Sequence, residues 1–276
     1  MSVINTNVSA LNAQSALTVN SRSMGVVMQQ LSTGSRINSA KDDAAGLAIG
    51  QTMTSQIRGL DQSVRNANDG ISLLQTADGA LVETSNMLQR MRELGVQSAN
   101  GTLSDTQRGY LNTEFTNLST QIGKIASETV WNGKAILLGT QGDTTSSTFT
   151  FQTGQSSGTT ITATITSMSA TTLGVDIAAV GTQANAVTAL GLVDTALASV
   201  NSQRATIGAV TNRLTYAADN MSNISTNISA SRSRIMDTDY AQATSQLAKT
   251  QIIQQAATAM LAQANQQPQS VLALLK

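Results

Sequence analysis

A seven-residue repeat of apolar side chains constrains this chain more than any other feature. In the C-terminal half it runs without a miss through Val193, Val200, Ile207, Leu214, Met221, Ile228 and Ile235. Such spacing places the apolar residues on one face of an α-helix, and a partner helix must cover that face. A companion stripe is supplied in part by Ala196, Val210, Ala217 and Ile224. The pattern predicts a long helix over residues 193–235.

A second repeat lies in the N-terminal half. Residues seven apart are Leu60, Ala67, Leu74, Leu81 and Leu88 in one series, with Ile57, Val64 and Ile71 in the other. Asp78 interrupts the second series, and Asn100 with Gly101 favours a helix end. We therefore expect a helix over 57–97. Because the two long helices are far apart in sequence and similar in length, they should pair antiparallel.

A third helix and two hairpins lie between the repeats. Ser104 and Gln107 have the spacing of a capping box, which predicts a helix over 105–127. The pair Asn132-Gly133 is typical of a tight hairpin turn. A second hairpin is predicted around the loop at 154–158 by the alternating residues Phe149, Phe151, Ile161, Ala163 and Ile165.

The chain ends carry weaker helical patterns. Gly34 is a plausible C-cap for an N-terminal helix, a polar joint is expected at 237–240, and Pro268 should interrupt the last helix. The candidate contact residues on these end helices are Ile4, Val8, Leu11, Leu31, Leu247, Ile253, Met260, Leu261 and Leu272. One interpretation is a two-helix coiled coil inside one molecule. We favour another, in which the ends become ordered only when other copies cover these stripes, since isolated helices rich in Ser, Gln and Asn are marginal in water.

Composition argues against catalysis. The chain has no Cys and no His, which removes disulfides, the commonest metal ligand and the commonest general base. We expect no enzyme activity, no cofactor and no metal site. Asp42 and Asp43 beside Lys41 could hold a cation only as paired carboxylates, so a solvated connector is the favoured interpretation.

Composition also limits the partners. Sixteen basic and sixteen acidic residues cancel, so there is no positive surplus for nucleic acid. No apolar run approaches the length of a membrane span, so we expect no membrane insertion. The first 30 residues are polar where a secretory signal would be apolar, so any export should proceed without a cleaved leader.

Several motifs at both ends resemble bacterial flagellins. They are VINTN at 3–7, LSTGSRINSAKDDAAG at 31–46, RNANDGIS at 65–72, LQRMREL at 88–94, SRI at 233–235, DY at 239–240 and QIIQQA at 251–256, with weaker matches within 264–272. The resemblance covers roughly residues 1–140 and 187–276. It implies a mainly α fold, a long antiparallel coiled-coil bundle with a small β-hairpin region and with the N- and C-terminal helices paired.

The resemblance also implies a domain layout. Residues 1–44 and 236–276 would form the inner helical domain of a filament. Residues 45–235 would form the surrounding bundle, with a short variable middle at about 130–186.

The function implied is that of a subunit of the bacterial flagellar filament, secreted and extracellular, which serves motility as a homopolymer. Subunits of the family are exported unfolded by the flagellar type III route, and a chaperone holds the C-terminal helix, here about 240–276. Filament cap and hook junction proteins are further expected partners. Alternatives are the hook–filament junction protein and a coiled-coil secreted adhesin.

Arg90, Leu94 and Glu114 match positions by which Toll-like receptor 5 recognises many flagellins. Arg90 and Leu94 are four residues apart and are expected to share one helix face. The other interpretation of these residues is lateral packing between subunits, and both roles are compatible.

Overall fold

A computed structural model describes residues 6–139 and 146–273, with side chains through residue 266. Its helices are α1 (Val8–Thr33), α2 (Ala44–Ala99), α3 (Asp105–Glu128), α4 (Gln183–Met236) and α5 (Tyr240–Ala273). Its strands are β1 (Val130–Trp131), β2 (Lys134–Ala135), β3 (Ser146–Gln152) and β4 (Thr160–Thr166). The mainly α fold with small hairpins is as predicted.

The chain divides into two compact units. The terminal unit comprises Met1–Ile57 and Thr226–Lys276, and the central unit comprises Arg58–Ser225. The boundaries between these units therefore fall inside α2 and α4, whereas the layout implied by the resemblance has its boundaries at 44/45 and 235/236.

Local signals explain most helix ends. Gly34 closes α1 in the left-handed conformation, with φ of 70°, and Ser104 with Gln107 forms the predicted capping box of α3. The predicted start of α2 at residue 57 is wrong. The helix begins at Ala44, where the Asp43 carboxylate accepts a hydrogen bond of 2.8 Å from the Gly46 N–H in the manner of an N-cap.

The expected interruption at Pro268 is also wrong, because α5 continues to Ala273. Proline removes one backbone donor, but its fixed φ is compatible with a helix, which can continue with one hydrogen bond missing.

The central unit is a bundle in which α2 runs antiparallel to both α3 and α4. Three ion pairs, together with a hydrogen bond of 2.9 Å from Arg108 Nε on α3 to the Ser98 carbonyl on α2, show the order of the helices along one another. The ion pairs join Arg92 to Asp194 at 2.7 Å, Asp78 to Arg204 at 2.8 Å, and Arg90 to Glu114 at 2.9 Å. The antiparallel pairing of the two long helices agrees with the sequence prediction. Because the side chains of these ion pairs are about half exposed, each pair contributes little stability, and burial of the apolar seams supplies most of it.

Small residues form half of the α2 seam. The buried stripe is Leu60, Ser63, Ala67, Gly70, Leu74, Ala77, Leu81, Thr84, Leu88 and Met91. The predicted series that begins with Leu60 is therefore correct. Its companion series consists of Ser63, Gly70, Ala77, Thr84 and Met91, which are small at every position but the last. Ile57, Val64 and Ile71 are only half-buried at the edge. Small side chains let neighbouring backbones approach closely. Because they are only weakly hydrophobic, the periodicity of the sequence does not mark them as seam positions.

The α4 seam shifts by one residue after Leu214. Its buried positions alternate by three and four up to Leu214, then step to Ala218, Met221 and Ser225. The extra step of four is a stutter, which moves the stripe around the helix. Ile224, a predicted member of the companion stripe, consequently remains 38% exposed.

Both predicted hairpins are present. The Asn132-Gly133 turn joins β1 and β2, with φ of 48° and 77° at its two residues, and β3 pairs antiparallel with β4. Gln203 explains how the second hairpin is held on α4. Its amide accepts from the Thr166 N–H at 3.2 Å and donates to the Thr164 carbonyl at 3.2 Å, as a neighbouring strand would.

Two glycines of α2 provide a matched test of this packing. A Cβ on Gly79 would meet nothing within 4 Å, whereas a Cβ on Gly70 would lie 2.9 Å from the Phe151 ring. We expect Gly79→Ala to stabilise the chain by up to ~1 kcal/mol through helix propensity. Gly70→Ala should instead destabilise it by about 1–3 kcal/mol through overpacking. Urea unfolding followed by circular dichroism measures both, and equal effects of the two substitutions would contradict the packing of β3 on α2.

Candidate assembly interface

Helices α1 and α5 pair antiparallel within the terminal unit. Three side chains of the pair reach across to backbone carbonyls of the opposite helix. The bonds run from Asn7 Nδ2 to Ala264 at 2.7 Å, from Asn20 Nδ2 to Thr250 at 2.8 Å, and from Tyr240 Oη to Leu31 at 3.1 Å. They span the pair from end to end, so it has one defined alignment.

Each helix contributes a seven-residue repeat to the seam. On α1 the positions are Ala10, Ala13, Leu17, Asn20, Met24, Val27 and Leu31, and on α5 they are Ala243, Leu247, Thr250, Gln254, Ala257, Leu261 and Ala264. Only four of the fourteen members are buried, the others are half-buried, and eight are Ala or polar. The seam therefore buries little apolar area for its length.

A polar layer lies in the middle of this seam. Asn20 is 7% exposed and Thr250 is 2% exposed, and the Thr250 hydroxyl donates to the Leu247 carbonyl. A buried polar residue at a coiled-coil seam is satisfied by its hydrogen bond but contributes less stability than an apolar residue would. The layer therefore contributes less to the pairing of α1 with α5 than an apolar layer would.

The predicted contact residues fall into three groups. Val8, Leu11, Ile253 and Met260 are exposed by 41–65%. Leu31, Leu247 and Leu261 are half-buried in the seam between α1 and α5. Ile4 and the side chain of Leu272 lie outside the residues that the structure describes. The first group is available to another molecule, whereas the second is already used within the chain.

Sequence reasoning missed four large exposed side chains on the same helices. They are Val19, Met28, Tyr240 and Ile252, all at least 55% exposed. Val19 and Tyr240 are flanked by small or polar residues, whereas Met28 and Ile252 adjoin Val27 and Ile253, and none of the four occupies a seam position. A surface accumulation of this kind is typical of an interaction site.

A groove runs along one broad face of the pair. Its volume is about 550 Å³, and its lining residues are Asn12, Ser15, Ala16, Val19, Asn20, Ser23, Gln246, Lys249, Thr250 and Ile253. Lys249 is the only charged residue in it. Over their whole lengths α1 and α5 contain no acidic residue, and their only other charge is Arg22. This surface is suited to apolar and amide contacts and offers no carboxylate for ion pairing.

The connector before α2 is built from local hydrogen bonds. The Ser39 hydroxyl donates to Asp42, and with the backbone N–H groups of Asn38 and Ser39 and the charge of Lys41 it lowers the pKa of Asp42. Asp42 thus caps a turn and Asp43 caps a helix. Within residues 6–139 and 146–273, no three acidic side chains cluster as metal ligands.

The predicted receptor residues are only partly at the surface. Arg90 donates to Glu114 and to Glu93, each at 2.9 Å, and these bonds raise the pKa of Arg90. Arg90 and Glu114 have side chains about half exposed. Leu94, four residues further along α2, is fully buried in the bundle. Seven-residue packing turns Leu94 inward, while Arg90 lies at the edge of the seam.

Together these features define a class: an α-helical structural protein whose chain ends pair with each other and present an uncovered apolar surface. The comparisons specify the family. The bacterial flagellin N-terminal helical region matches residues 4–142, and the flagellin C-terminal helical region matches residues 190–275. The chain therefore belongs to the bacterial flagellin family.

Individual relatives align with this chain over their full lengths. A flagellin of Halalkalibacterium halodurans is 44% identical, with 99% of this chain and all of that protein covered. The flagellar filament 33 kDa core protein of Treponema phagedenis is 42% identical at the same coverage. A solved hook-associated protein from Vibrio parahaemolyticus, 18% identical, covers 71% of this chain with a TM-score of 0.59, and supports the fold alone.

The family membership establishes the general function. The protein is a structural subunit of the flagellar filament, which is an extracellular homopolymer, and it is not an enzyme. In the part of the chain that the structure describes, no helix is both long and apolar enough to cross a bilayer.

The polar layer can be tested in the dilute monomer. We expect Asn20→Leu to strengthen the pairing of α1 with α5, because it replaces a buried amide by an apolar side chain. Hydrogen exchange of amides in both helices should slow by about tenfold, which corresponds to ~1.4 kcal/mol. Gln14→Leu is the matched control, since Gln14 is exposed on the same helix. Unchanged or faster exchange in Asn20→Leu would show that the layer does not limit stability.

Proposed function

We propose that the chain polymerises through the surfaces of α1 and α5 that the monomer leaves uncovered. The observation that carries this proposal is the exposure of Val8, Leu11, Ile253 and Met260 on two helices whose shared seam is small. The wider contact set, which includes residues that also support the pair itself, is Ile4, Val8, Leu11, Leu31, Leu247, Ile253, Met260, Leu261 and Leu272. Copies that cover these residues add the apolar burial that the pair lacks.

Coupled ordering follows from the energetics of the pair. Isolated helices are marginal in water, and the α1–α5 seam contains a polar layer and many alanines. Contacts with neighbouring copies stabilise the paired form by mass action. The terminal helices thus become fully ordered on assembly, while the central unit, with its larger buried core, is folded beforehand.

The same weakness suits export in an unfolded state, which we propose proceeds by the flagellar type III route. No disulfide has to be broken, and the terminal pair separates at little cost. Before export, a chaperone would cover the C-terminal helix, about 240–276, whose Ile252, Ile253 and Met260 are exposed even in the folded chain. The filament cap and hook junction proteins would contact the subunit at the two ends of the polymer.

Recognition of the monomer by Toll-like receptor 5 is a separate proposal. It rests on Arg90 and Glu114, which form an exposed ion pair on α2 and α3. Because Leu94 is buried, its part in recognition would be to position the backbone of α2 beside Arg90.

Truncation tests the polymerisation proposal. Deletion of residues 1–30 or of residues 245–276 should leave a folded, helical monomer that cannot elongate filament seeds, because each deletion removes one partner of the terminal pair. Circular dichroism reports folding, and sedimentation after seeding reports growth. Filaments grown from either truncated chain would refute the proposal.

A reporter-cell assay on purified monomer tests the receptor proposal. We expect Arg90→Ala to weaken the response by about tenfold or more, as is common for an interface arginine. Arg92→Ala is the matched control, because Arg92 is equally exposed and also ion-paired, to Asp194. Absence of any response to the native monomer, or equal responses to both variants, would contradict recognition through Arg90.

A further inference from the structure

The groove on the α1–α5 pair is shallow, with small and polar side chains along most of its lining and two large apolar ones. Its lining is small along α1, at Ser15, Ala16 and Ser23, so a backbone can approach closely. Val19 and Ile253, both exposed, form its apolar flanks. Helix periodicity continues this apolar row, because Val8 lies three turns before Val19, and Met260 lies two turns after Ile253.

A different surface lies on the side of α5 that faces away from α1. Ile252 is two residues from the buried Thr250, about 200° around the helix, and is 65% exposed. Ile252 belongs to a stripe of exposed residues spaced by four, three and four. We name this stripe the α5 outer edge, and it consists of Ala248, Ile252, Gln255 and Ala259. This stripe is narrow and uncharged, with one large apolar side chain at its centre.

Charge distinguishes the α5 outer edge from the corresponding edge of α1. The α1 edge, opposite its own seam, carries Leu11 but also Arg22. The groove contains Lys249. Neither α1 nor α5 contains an acidic residue that could neutralise Arg22 if it lay beside Lys249. Packing the α1 edge in the groove would bring like charges together, whereas the α5 outer edge brings none.

We propose that the α5 outer edge of one copy packs in the groove of a second copy. Ile252 of the first copy would then lie between Val19 and Ile253 of the second. The inference rests on the proposed function and specifies its contact. Because the groove and the edge are different patches of one molecule, the contact is heterologous, and each added copy leaves one groove and one edge free. A contact of this kind grows as an open polymer unless the rotation between copies closes a ring.

Two substitutions block one patch each without touching the seam. Val19→Glu places a carboxylate in the groove, and Ile252→Glu places one on the α5 outer edge. Both native residues are more than 60% exposed, so the monomer should fold normally. Ser21→Glu and Gln251→Glu are matched controls, since each adds the same charge at an exposed position of the same helix outside both patches.

Seeded elongation is the first measurement. We expect each blocked variant to elongate native seeds at least tenfold more slowly than its control, because assembly would bury a carboxylate in a contact that native copies make with apolar side chains. Normal elongation by Val19→Glu or Ile252→Glu would overturn the proposal. If both elongate normally while the truncated chains do not, polymerisation through the termini stands and this pairing of patches is wrong.

A mixing experiment tests the heterologous geometry. Each blocked variant alone should remain monomeric in sedimentation velocity, because every possible contact involves the blocked patch. An equimolar mixture should form dimers and nothing longer, since the intact groove of Ile252→Glu accepts the intact edge of Val19→Glu. Failure of the mixture to dimerise under conditions in which the control variants polymerise would overturn the proposal.

Discussion

The packing of small side chains along seven-residue seams is the constraint on which this structure depends. In α2, five of the ten seam positions are Ser, Gly, Ala or Thr, and the other five are Leu or Met. This arrangement lets α2 contact α3, α4 and the hairpin along most of its length. Gly70 illustrates the requirement, because the Phe151 ring of β3 occupies the space that any side chain would need.

The same device has a different outcome in the terminal unit. There the small residues are accompanied by a polar layer at Asn20 and Thr250, and large apolar residues such as Val19 and Ile252 are turned outward. The result is a helix pair with a defined alignment but little buried area, and with an apolar surface available to other copies. The small apolar seam between α1 and α5 and the exposed apolar surface that other copies can cover are two consequences of one distribution of side chains.

The central unit and the terminal helices differ in their content of charged residues. The central unit carries several cross-helix ion pairs, among them Arg92 with Asp194 and Asp78 with Arg204. The terminal helices carry only Arg22 and Lys249. Contacts made through the terminal helices must therefore rely on shape, apolar burial and amide hydrogen bonds, which depend little on ionic strength.

The sequence alone determined the helical class, the antiparallel pairing of the long repeats, the caps at Gly34 and Ser104, and both hairpins. Each of these follows from local periodicity or from a conformational preference of one or two residues. It also determined that no His or Cys chemistry is available. Only the tertiary structure decided which stripe is buried, because Ser63, Gly70 and Asn20 have no hydrophobic signal yet occupy seam positions. It also decided that Leu94 is inside and that Val19 and Ile252 are outside, since exposure is set by the neighbouring helix and not by the residue's own hydrophobicity.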